Sequence, residues 1–480
     1  MVFSSHLFIY YFLPLALLVH ALSWKLLPRP MRHLGLLVVS YLFYGWANPA
    51  FVFLMLFSTA VDYACGLLID SAPEGDAGRR RRRLAVTTSV LSNLGLLGFF
   101  KYFNFGIDTW NAAVQAAGIT GWANDEVMRI VLPLGISFYT FQSMSYTIDV
   151  FRGRCAALRN PVDFACYVAM FPQLVAGPIL RFREVADQLD ARRHTLAKTA
   201  RGTAFFSIGL AKKVLLANPC GKVADLTFGT HGLGVLDAWY GVVAYAFQIY
   251  FDFSGYTDMA IGLGLLLGFR FPKNFDSPYR SRSLTEFWRR WHMSLSRWLR
   301  DYLYIPLGGN RKGRRRTYVN LMLVMLLGGL WHGAAWTFVA WGAIHGGLLA
   351  FERLRRDLGK APLPGPPAMH MVATFLLVLV GWVFFRSADL GDAFAYLGAM
   401  FGLGADSAAS TAALISSIAG APYYLGTVLM AAVVVWAAPQ TWDFTERLTA
   451  PKAVVSLLLL VVSLVVMDTQ GYNPFIYFIF

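Results

Sequence analysis

Apolar stretches recur along the whole chain, and short polar or basic loops separate them. Most of the stretches approach the length of about 20 residues that a helix needs to cross a membrane. The pattern therefore predicts an all-α protein, a polytopic membrane helix bundle of about 10 to 12 spans. The stretches lie at residues 7 to 22, 34 to 47, 50 to 70, 84 to 103, 127 to 150, 164 to 180, 202 to 217, 235 to 268, 319 to 350, 371 to 385, 421 to 438 and 453 to 467.

The stretch at residues 319 to 350 is too long to be one straight span. A helix over these residues would be about 48 Å long, whereas the hydrocarbon core of a membrane is about 30 Å thick. Gly328, Gly329 and Gly333 lie near its middle. We therefore expect a strongly tilted helix or a broken, re-entrant one, which a membrane tolerates where the backbone faces protein or a water-filled cavity.

Residues 285 to 304 combine aromatic and basic side chains and are too charged to span a membrane. Trp288, Trp291 and Trp298 recur at helical spacing, while Arg289 and Arg297 fall on other faces. This pattern predicts an amphipathic helix at the membrane interface, where tryptophan and arginine side chains are common.

The basic residues indicate how the chain is oriented. No lysine or arginine precedes the first stretch, whereas Lys25, Arg29 and Arg32 follow it. Because basic loops stay in the cytoplasm, the first stretch is predicted to be an uncleaved span with the N-terminus outside. The run from Arg79 to Arg83 follows the third stretch and is cytoplasmic in the same topology.

The composition agrees with a membrane protein, since 57% of the residues are apolar, 14% are charged and the mean hydropathy is +0.51. The net charge of +15 does not indicate nucleic acid, because the basic residues cluster beside apolar stretches. We expect a single domain over residues 1 to 480 and no nucleic-acid partner. The four cysteines form no CxxC pair, which favours buried thiols over a metal site or a disulfide framework.

Two histidines are candidates for chemistry. His332 lies in LWHGAAW, about 24 Å along a helix that would enter from a cytoplasmic basic cluster. An ionisable side chain at that depth indicates a functional site, although a neutral histidine bonded between helices fits the position equally well. His292 borders the aromatic stripe and can face inward, or lie at the interface against water or lipid phosphate.

A third set of polar residues lies in YFDFSGYTDMA, inside an apolar stretch. Buried carboxylates need partners. Asp252 and Asp258 could therefore line a polar tunnel, relay protons, or pair with arginines of the following segment. The pairing is the interpretation that we favour.

Three long segments make the chain resemble the membrane-bound O-acyltransferase family. They are YFDFSGYTDMAIGLGLLLGF (250 to 269), NFDSPYRSRSLTEFWRRWHMSLSRWLRDYLYIPLGGNRKG (274 to 313) and LMLVMLLGGLWHGAAWTFVAWGAIHG (321 to 346). The similarity is nearest to the bacterial alginate O-acetyltransferase branch of the family. We place the catalytic region at about residues 127 to 350, and the resemblance is more diffuse in the C-terminal spans, residues 368 to 480.

The resemblance implies an enzyme that moves an acyl group from a thioester to a hydroxyl, with His332 as its catalytic histidine and His292 as the paired position. A neutral imidazole suits a general base, because its pKa near 6.5 lets it take the hydroxyl proton as attack begins. His292 or a backbone N–H would then donate a hydrogen bond to the oxyanion. The residues expected along a substrate tunnel are Asp252, Tyr250, Ser254 and Trp331.

The resemblance also implies acetyl-CoA or another acyl thioester as the donor substrate, with no tightly bound cofactor and no metal. A cytoplasmic cluster would attract the donor phosphates, although topology explains its charges equally well. The expected setting is the bacterial inner membrane, with the lipid bilayer, a periplasmic acetyltransferase and an exported polysaccharide such as alginate as partners. The cluster consists of Arg311, Lys312, Arg314, Arg315 and Arg316.

Two alternatives stay open at the level of sequence. The same fold could acylate peptidoglycan or teichoic acid, with acetyl or D-alanyl as the transferred group. A transporter would instead use Asp252, Asp258 and His332 as a polar path, but the chain has no clear inverted repeat.

Overall fold

A computed structural model of the chain describes residues 1–124, 126–359, 364–403, 415–417 and 421–476. These residues form helices and no β-strand, which confirms the predicted all-α class. They divide into two compact units. Unit 1 consists of Met1–Thr195 and Gly264–Phe271, and unit 2 consists of Leu196–Leu263 and Pro272–Phe480. The single domain over residues 1 to 480 stays a prediction.

Unit 1 is a bundle in which the central helices bury polar side chains. Its helices are α1 (Leu7–Leu26), α2 (Leu34–Gly45), α3 (Phe51–Asp70), α4 (Asp76–Ala116), α5 (Ile136–Phe151), α6 (Pro161–Ala169), α7 (Phe171–Leu174) and α8 (Phe182–Ala191). Helices α3, α4 and α5 pack around Asp62. Its buried carboxylate accepts hydrogen bonds from Ser89, Asn93 and Ser143, so the carboxylate has the partners that burial demands.

One predicted stretch of unit 1 differs in the structure. Residues 164 to 180 were expected to form a span, but they contain the end of α6, the single turn α7 and a non-helical segment. The break lies at Met170, whose φ of −52° and ψ of 113° are not helical, and Pro172 has no N–H to continue the hydrogen-bond ladder of α6. The amides of Gln142 and Gln173 both donate to the carbonyl oxygen of Tyr167 at 2.5 and 2.6 Å, and these bonds hold the broken segment against α5.

Unit 2 contains the two candidate histidines. A π-helical segment, Lys212–Ala217, connects its first two helices. The helices are α9 (Leu196–Ala211), α10 (Asn218–Phe228), most of α11 (Val235–Leu266), α12 (Leu284–Arg290), α13 (Met293–Leu299), α14 (Gly313–His332), α15 (Trp336–Asp357), α16 (Pro367–Arg386), α17 (Leu390–Met400), α18 (Pro422–Trp436), α19 (Thr441–Glu446) and α20 (Ala450–Thr469).

Five helices among the described residues are long and apolar enough to cross a membrane by length and composition, namely α1, α3, α4, α16 and α20. The shorter helix α18 is apolar as well. The chain is therefore a multi-pass membrane protein. Fewer helices meet this criterion than the 10 to 12 expected, because several apolar stretches form short helices such as α2, α6 and α7.

The long stretch at residues 319 to 350 breaks, as predicted, and folds into an antiparallel hairpin of α14 and α15. The helices approach closely because glycine faces backbone at the contact, which is a common arrangement between membrane helices. A Cβ atom on Gly342 would lie only 2.5 Å from the carbonyl oxygen of Met325, and Gly329 faces the carbonyl of Phe338 in the same way. His332 is thus the last residue before the hairpin tip.

The amphipathic segment also breaks, into α12, α13 and a π-helical turn, Arg300–Tyr304, where we expected one continuous helix. The break lies at His292, whose backbone is left-handed with φ 42°. Backbone groups of the preceding loop replace the helical ladder there, since Met293 N–H donates to Asn274 O and Asp276 N–H donates to Arg290 O, both at 2.9 Å. Part of the aromatic stripe, including Trp291, is buried within the protein.

The hairpin contact predicts that alanine lowers stability at one glycine of α15 and not at another. Replacing Gly342 with alanine should lower the free energy of unfolding by about 1–3 kcal/mol, because the added methyl forces α14 and α15 apart. Gly347→Ala is the matched control, since its added Cβ meets no heavy atom within 4 Å. Thermal unfolding of the purified proteins in detergent measures both, and equal melting temperatures for the two variants would contradict the packing argument.

Candidate active site

The two candidate histidines lie next to each other in unit 2. The ring centroids of His292 and His332 are 6.4 Å apart. Both side chains are buried, with 0% and 7% of their surface exposed. The fold therefore brings together two imidazoles that lie far apart in the sequence, and their catalytic pairing stays a prediction.

Glycine after His332 lets the chain turn without exposing the imidazole. Gly333 is extended, with φ −152° and ψ 147°, and a side chain there would clash with the ring of Phe338. The chain therefore leaves α14 directly after His332 and re-enters a helix at Trp336. His332 is held at the end of a helix of 20 residues, about 30 Å from its exposed start.

His292 occupies a strained backbone position. A left-handed φ is uncommon for a residue other than glycine, and such strain is found most often at functional sites. The short helices on both sides of His292, together with the hydrogen bond from Met293 to Asn274, hold this conformation. Nδ1 of His292 lies 3.3 Å from Oδ1 of Asn274, while Nε2 has no hydrogen-bond partner among the residues that the structure describes.

The surroundings favour an uncharged His292. Burial lowers the pKa of this imidazole well below its ordinary value of 6.5, and a positive charge on His332 lowers it further. His292 is therefore neutral at physiological pH. A neutral imidazole has one nitrogen that donates and one that accepts, so it can take up a proton during a reaction.

Aromatic rings surround both histidines. His332 packs edge-on against Trp341 at 5.3 Å and Phe385 at 5.4 Å, and His292 packs edge-on against Phe253 at 4.6 Å. These rings exclude bulk water, and a thioester at this place would be protected from hydrolysis.

An apolar cavity of about 170 Å³ reaches His332. One face of α14 lines it from Leu321 to His332, a distance of about 16 Å along the helix. Arg300 and Tyr304 also line the cavity, as do Trp288 and Trp341. The cavity is thus long and narrow, with a basic side chain among otherwise mostly apolar walls.

The expected tunnel residues separate into two groups. Trp331 lies beside both histidines, with its ring 5.0 Å from His332 and 6.2 Å from His292. Tyr250 and Ser254 are buried on α11, and the Tyr250 hydroxyl lies 3.2 Å from the amide nitrogen of Gln440. Neither is among the residues that line the cavity at His332.

Asp252, the fourth expected tunnel residue, forms a buried ion pair with Lys213 at 2.7 Å. Its other oxygen accepts a hydrogen bond from the backbone N–H of Ile476 at 2.9 Å. Asp258 pairs with Lys212 at 2.6 Å. The favoured interpretation of paired aspartates is therefore confirmed, but the partners are consecutive lysines that precede α11 and not the arginines that follow it.

The predicted donor cluster lies on the surface at the start of α14. Arg311, Lys312, Arg314 and Arg315 are exposed, as is Arg316. They are therefore accessible to a charged ligand, and they lie at the opposite end of α14 from His332.

Sequence reasoning missed several residues that contact the histidines, namely Phe253, Asn274, Trp341 and Phe385. Of these four residues, Asn274 could have been predicted most easily from the sequence. It opens the segment that contains His292, and an amide close to a buried histidine is a natural hydrogen-bond partner.

The family model described as "MBOAT, membrane-bound O-acyltransferase family" matches residues 156–388. A protein of Azotobacter vinelandii named "Probable alginate O-acetylase AlgI" is 44% identical, with all of both chains covered. A protein of the same name from Pseudomonas putida is 50% identical over 84% of this chain and 81% of the relative. A "Peptidoglycan O-acetyltransferase" of Helicobacter pylori is 36% identical over 84% of this chain and 80% of the relative.

The ion pair at Asp252 predicts a stability effect that a tunnel residue would not have. Lys213→Met should lower the free energy of unfolding by about 3–5 kcal/mol, because it leaves a buried carboxylate without its partner. Adding Asp252→Asn to Lys213→Met should restore part of that loss. Arg79→Met, which breaks an exposed pair with Asp76, is the control and should change stability little. A Lys213→Met protein that melts like the wild type would refute the structural role.

Proposed function

Because this chain belongs to the membrane-bound O-acyltransferase family, we propose that it transfers acetyl from a cytoplasmic thioester toward an exported polysaccharide, with alginate as the favoured polymer. The observation that carries the proposal is the pair of buried imidazoles, His332 and His292, at an apolar cavity. The motifs around both histidines are those by which the chain resembles the family. The protein is an O-acyltransferase, and what is proposed is its donor, its acceptor and the residues that act.

His332 acts as the general base in the proposed reaction. The acceptor hydroxyl oxygen attacks the carbonyl carbon of the thioester, a C–O bond forms, and the hydroxyl proton moves to His332. The tetrahedral intermediate then collapses, the C–S bond breaks, and the sulfur leaves as a thiol with the proton from the imidazolium. The surrounding aromatic rings favour attack by the acceptor hydroxyl over hydrolysis, because they keep water away from the thioester.

The thioester reaches His332 through the apolar cavity. The acyl group of a coenzyme A thioester is carried on a long flexible arm, whereas its phosphates are charged and stay in water. A narrow cavity along α14 suits the arm, and Arg300 with the exposed cluster suits the phosphates. This arrangement supports a donor that approaches from the face of the membrane where the basic loops are predicted, the cytoplasm.

The enzyme lies in the bacterial inner membrane, and the acceptor hydroxyl approaches it from the periplasmic side. A periplasmic acetyltransferase completes the transfer to the polymer. The two relatives named for alginate support alginate as that polymer. The Helicobacter relative favours peptidoglycan as a second candidate. Ester analysis of both polymers in a deletion strain separates the candidates, since only the true acceptor should lose O-acetyl groups.

Replacing His332 with alanine tests the general base. We expect acetyl transfer to fall about 10²–10⁴-fold, which is the usual contribution of a positioned acid–base group. O-acetyl groups on the polymer of complemented cells provide the measurement, normalised to the amount of membrane-inserted protein. His370→Ala, a partly exposed histidine of the same unit, is the matched control and should keep full activity. Undiminished acetylation by His332→Ala at normal protein level would rule out the assignment.

Neutralising the exposed cluster tests the donor route. A triple variant of Arg311, Arg314 and Arg315 to glutamine should raise the KM for acetyl-CoA and weaken its dependence on salt, while kcat changes little. Inside-out membrane vesicles from polymer-producing cells and radiolabelled acetyl-CoA provide the assay.

The control for the cluster is a second basic segment of the same predicted orientation, at the start of α4. A triple variant of Arg80, Arg81 and Arg83 to glutamine removes equal charge at an exposed site. If both triple variants raise KM equally, general surface charge explains the effect and the cluster has no special role in donor binding.

A further inference from the structure

The side-chain oxygen of Asn274 lies within hydrogen-bond distance of several possible donors. Oδ1 lies 3.0 Å from the backbone nitrogen of Ser294, 2.9 Å from the Ser294 hydroxyl and 3.3 Å from Nδ1 of His292. On the other side, Nδ2 of Asn274 donates to the hydroxyl of Thr257 at 3.3 Å. All four side chains are buried, so these contacts are shielded from water.

The orientation of the Asn274 amide follows from one obligatory donor. The backbone N–H of Ser294 can only donate, so the atom that faces it must be the oxygen. The reversed amide would place an NH₂ group against this N–H, and the Thr257 hydroxyl would lose its donor. Oδ1 therefore faces His292 as well.

An oxygen that faces Nδ1 determines which nitrogen of His292 carries the proton. If Nδ1 were unprotonated, its lone pair would point at the lone pairs of Oδ1 at 3.3 Å, which is repulsive. With the proton on Nδ1, the same contact is a hydrogen bond. A competing arrangement exists, because the Ser294 hydroxyl lies 3.4 Å from Nδ1 and could donate to it.

The other ring nitrogen favours the first arrangement. Nε2 of His292 is buried and has no hydrogen-bond partner in the described part of the chain. A buried N–H without a partner is rarer in proteins than a buried acceptor without one. Burial without a partner is therefore less costly for an unprotonated Nε2 than for a protonated one, which again places the proton on Nδ1.

We propose that Asn274 is a positioning residue that holds the proton of neutral His292 on Nδ1 and leaves the lone pair on Nε2. His292 then accepts hydrogen bonds or protons at Nε2 and cannot donate from it, so His292 is not the oxyanion donor. The role of this lone pair in catalysis rests on the proposed function, whereas the tautomer does not.

Nitrogen-15 solid-state NMR of histidine-labelled protein in lipid bilayers tests the tautomer, because protonated and bare ring nitrogens give well-separated signals. The signals of His292 are those that disappear in His292→Asn. We expect a protonated Nδ1 in the wild type, in Asn274→Asp, which keeps an acceptor oxygen, and in Ser294→Ala. Asn274→Leu removes the acceptor and should give a mixture of tautomers, with acetyl transfer lowered about tenfold, as expected for one lost hydrogen bond.

Asn320→Leu is the matched control. Asn320 is another buried asparagine of unit 2, but its amide donates to loop carbonyls of Leu307 and Gly309. This variant should leave the signals of His292 unchanged even where it lowers stability. A change as large as that in Asn274→Leu would overturn the proposal.

The wild-type spectrum decides which tautomer is present, and the variants decide whether Asn274 controls it. A proton on Nε2 overturns the proposal, whatever the acetylation assays give, and a switch of tautomer in Ser294→Ala would assign control to the serine hydroxyl. If the tautomer is as proposed but His292→Asn retains full polymer acetylation, the catalytic role of His292 fails while the assignment to Asn274 stands.

Discussion

The close contact between α14 and α15 is the constraint on which the candidate active site depends. Two helices can approach to this distance only where neither carries a side chain, and Gly329 and Gly342 each face a backbone carbonyl of the partner helix. The contact turns one long apolar stretch into a hairpin. It places the tip of the hairpin, with His332, inside the protein and leaves the basic start of α14 in solvent. The cavity lies along the same helix and reaches His332.

The second histidine is positioned by a different principle. His292 lies where the helical hydrogen-bond ladder is interrupted, and the loop around Asn274 supplies the missing backbone partners. The strained φ of His292 is thus stabilised by bonds on both sides of it. A rigid hairpin and a strained turn together hold the two imidazoles in an apolar enclosure.

The sequence predicted the membrane class and the break in the long stretch, because each left a local mark such as a run of apolar residues or a glycine cluster. The pairing of the two histidines was implied by the family resemblance, and its catalytic role stays a prediction. The sequence did not predict the break at His292, since that break depends on hydrogen bonds with the loop that precedes α12. The partners of Asp252 and Asp258 were also mistaken. Charge counting pointed to the arginine-rich segment that follows, whereas the fold brings Lys212 and Lys213 back from the preceding one.

The hydrogen bond from Ile476 to Asp252 has a consequence for how the protein is made. Lys213 and Asp252 emerge from the ribosome early and can neutralise each other as they enter the membrane. The third member of this group is synthesised more than two hundred residues later. Until then one oxygen of this carboxylate lacks its final partner, and an unsatisfied polar group is costly once it is buried. Unit 2 can therefore complete the hydrogen bonds of Asp252 only after Ile476 has been translated.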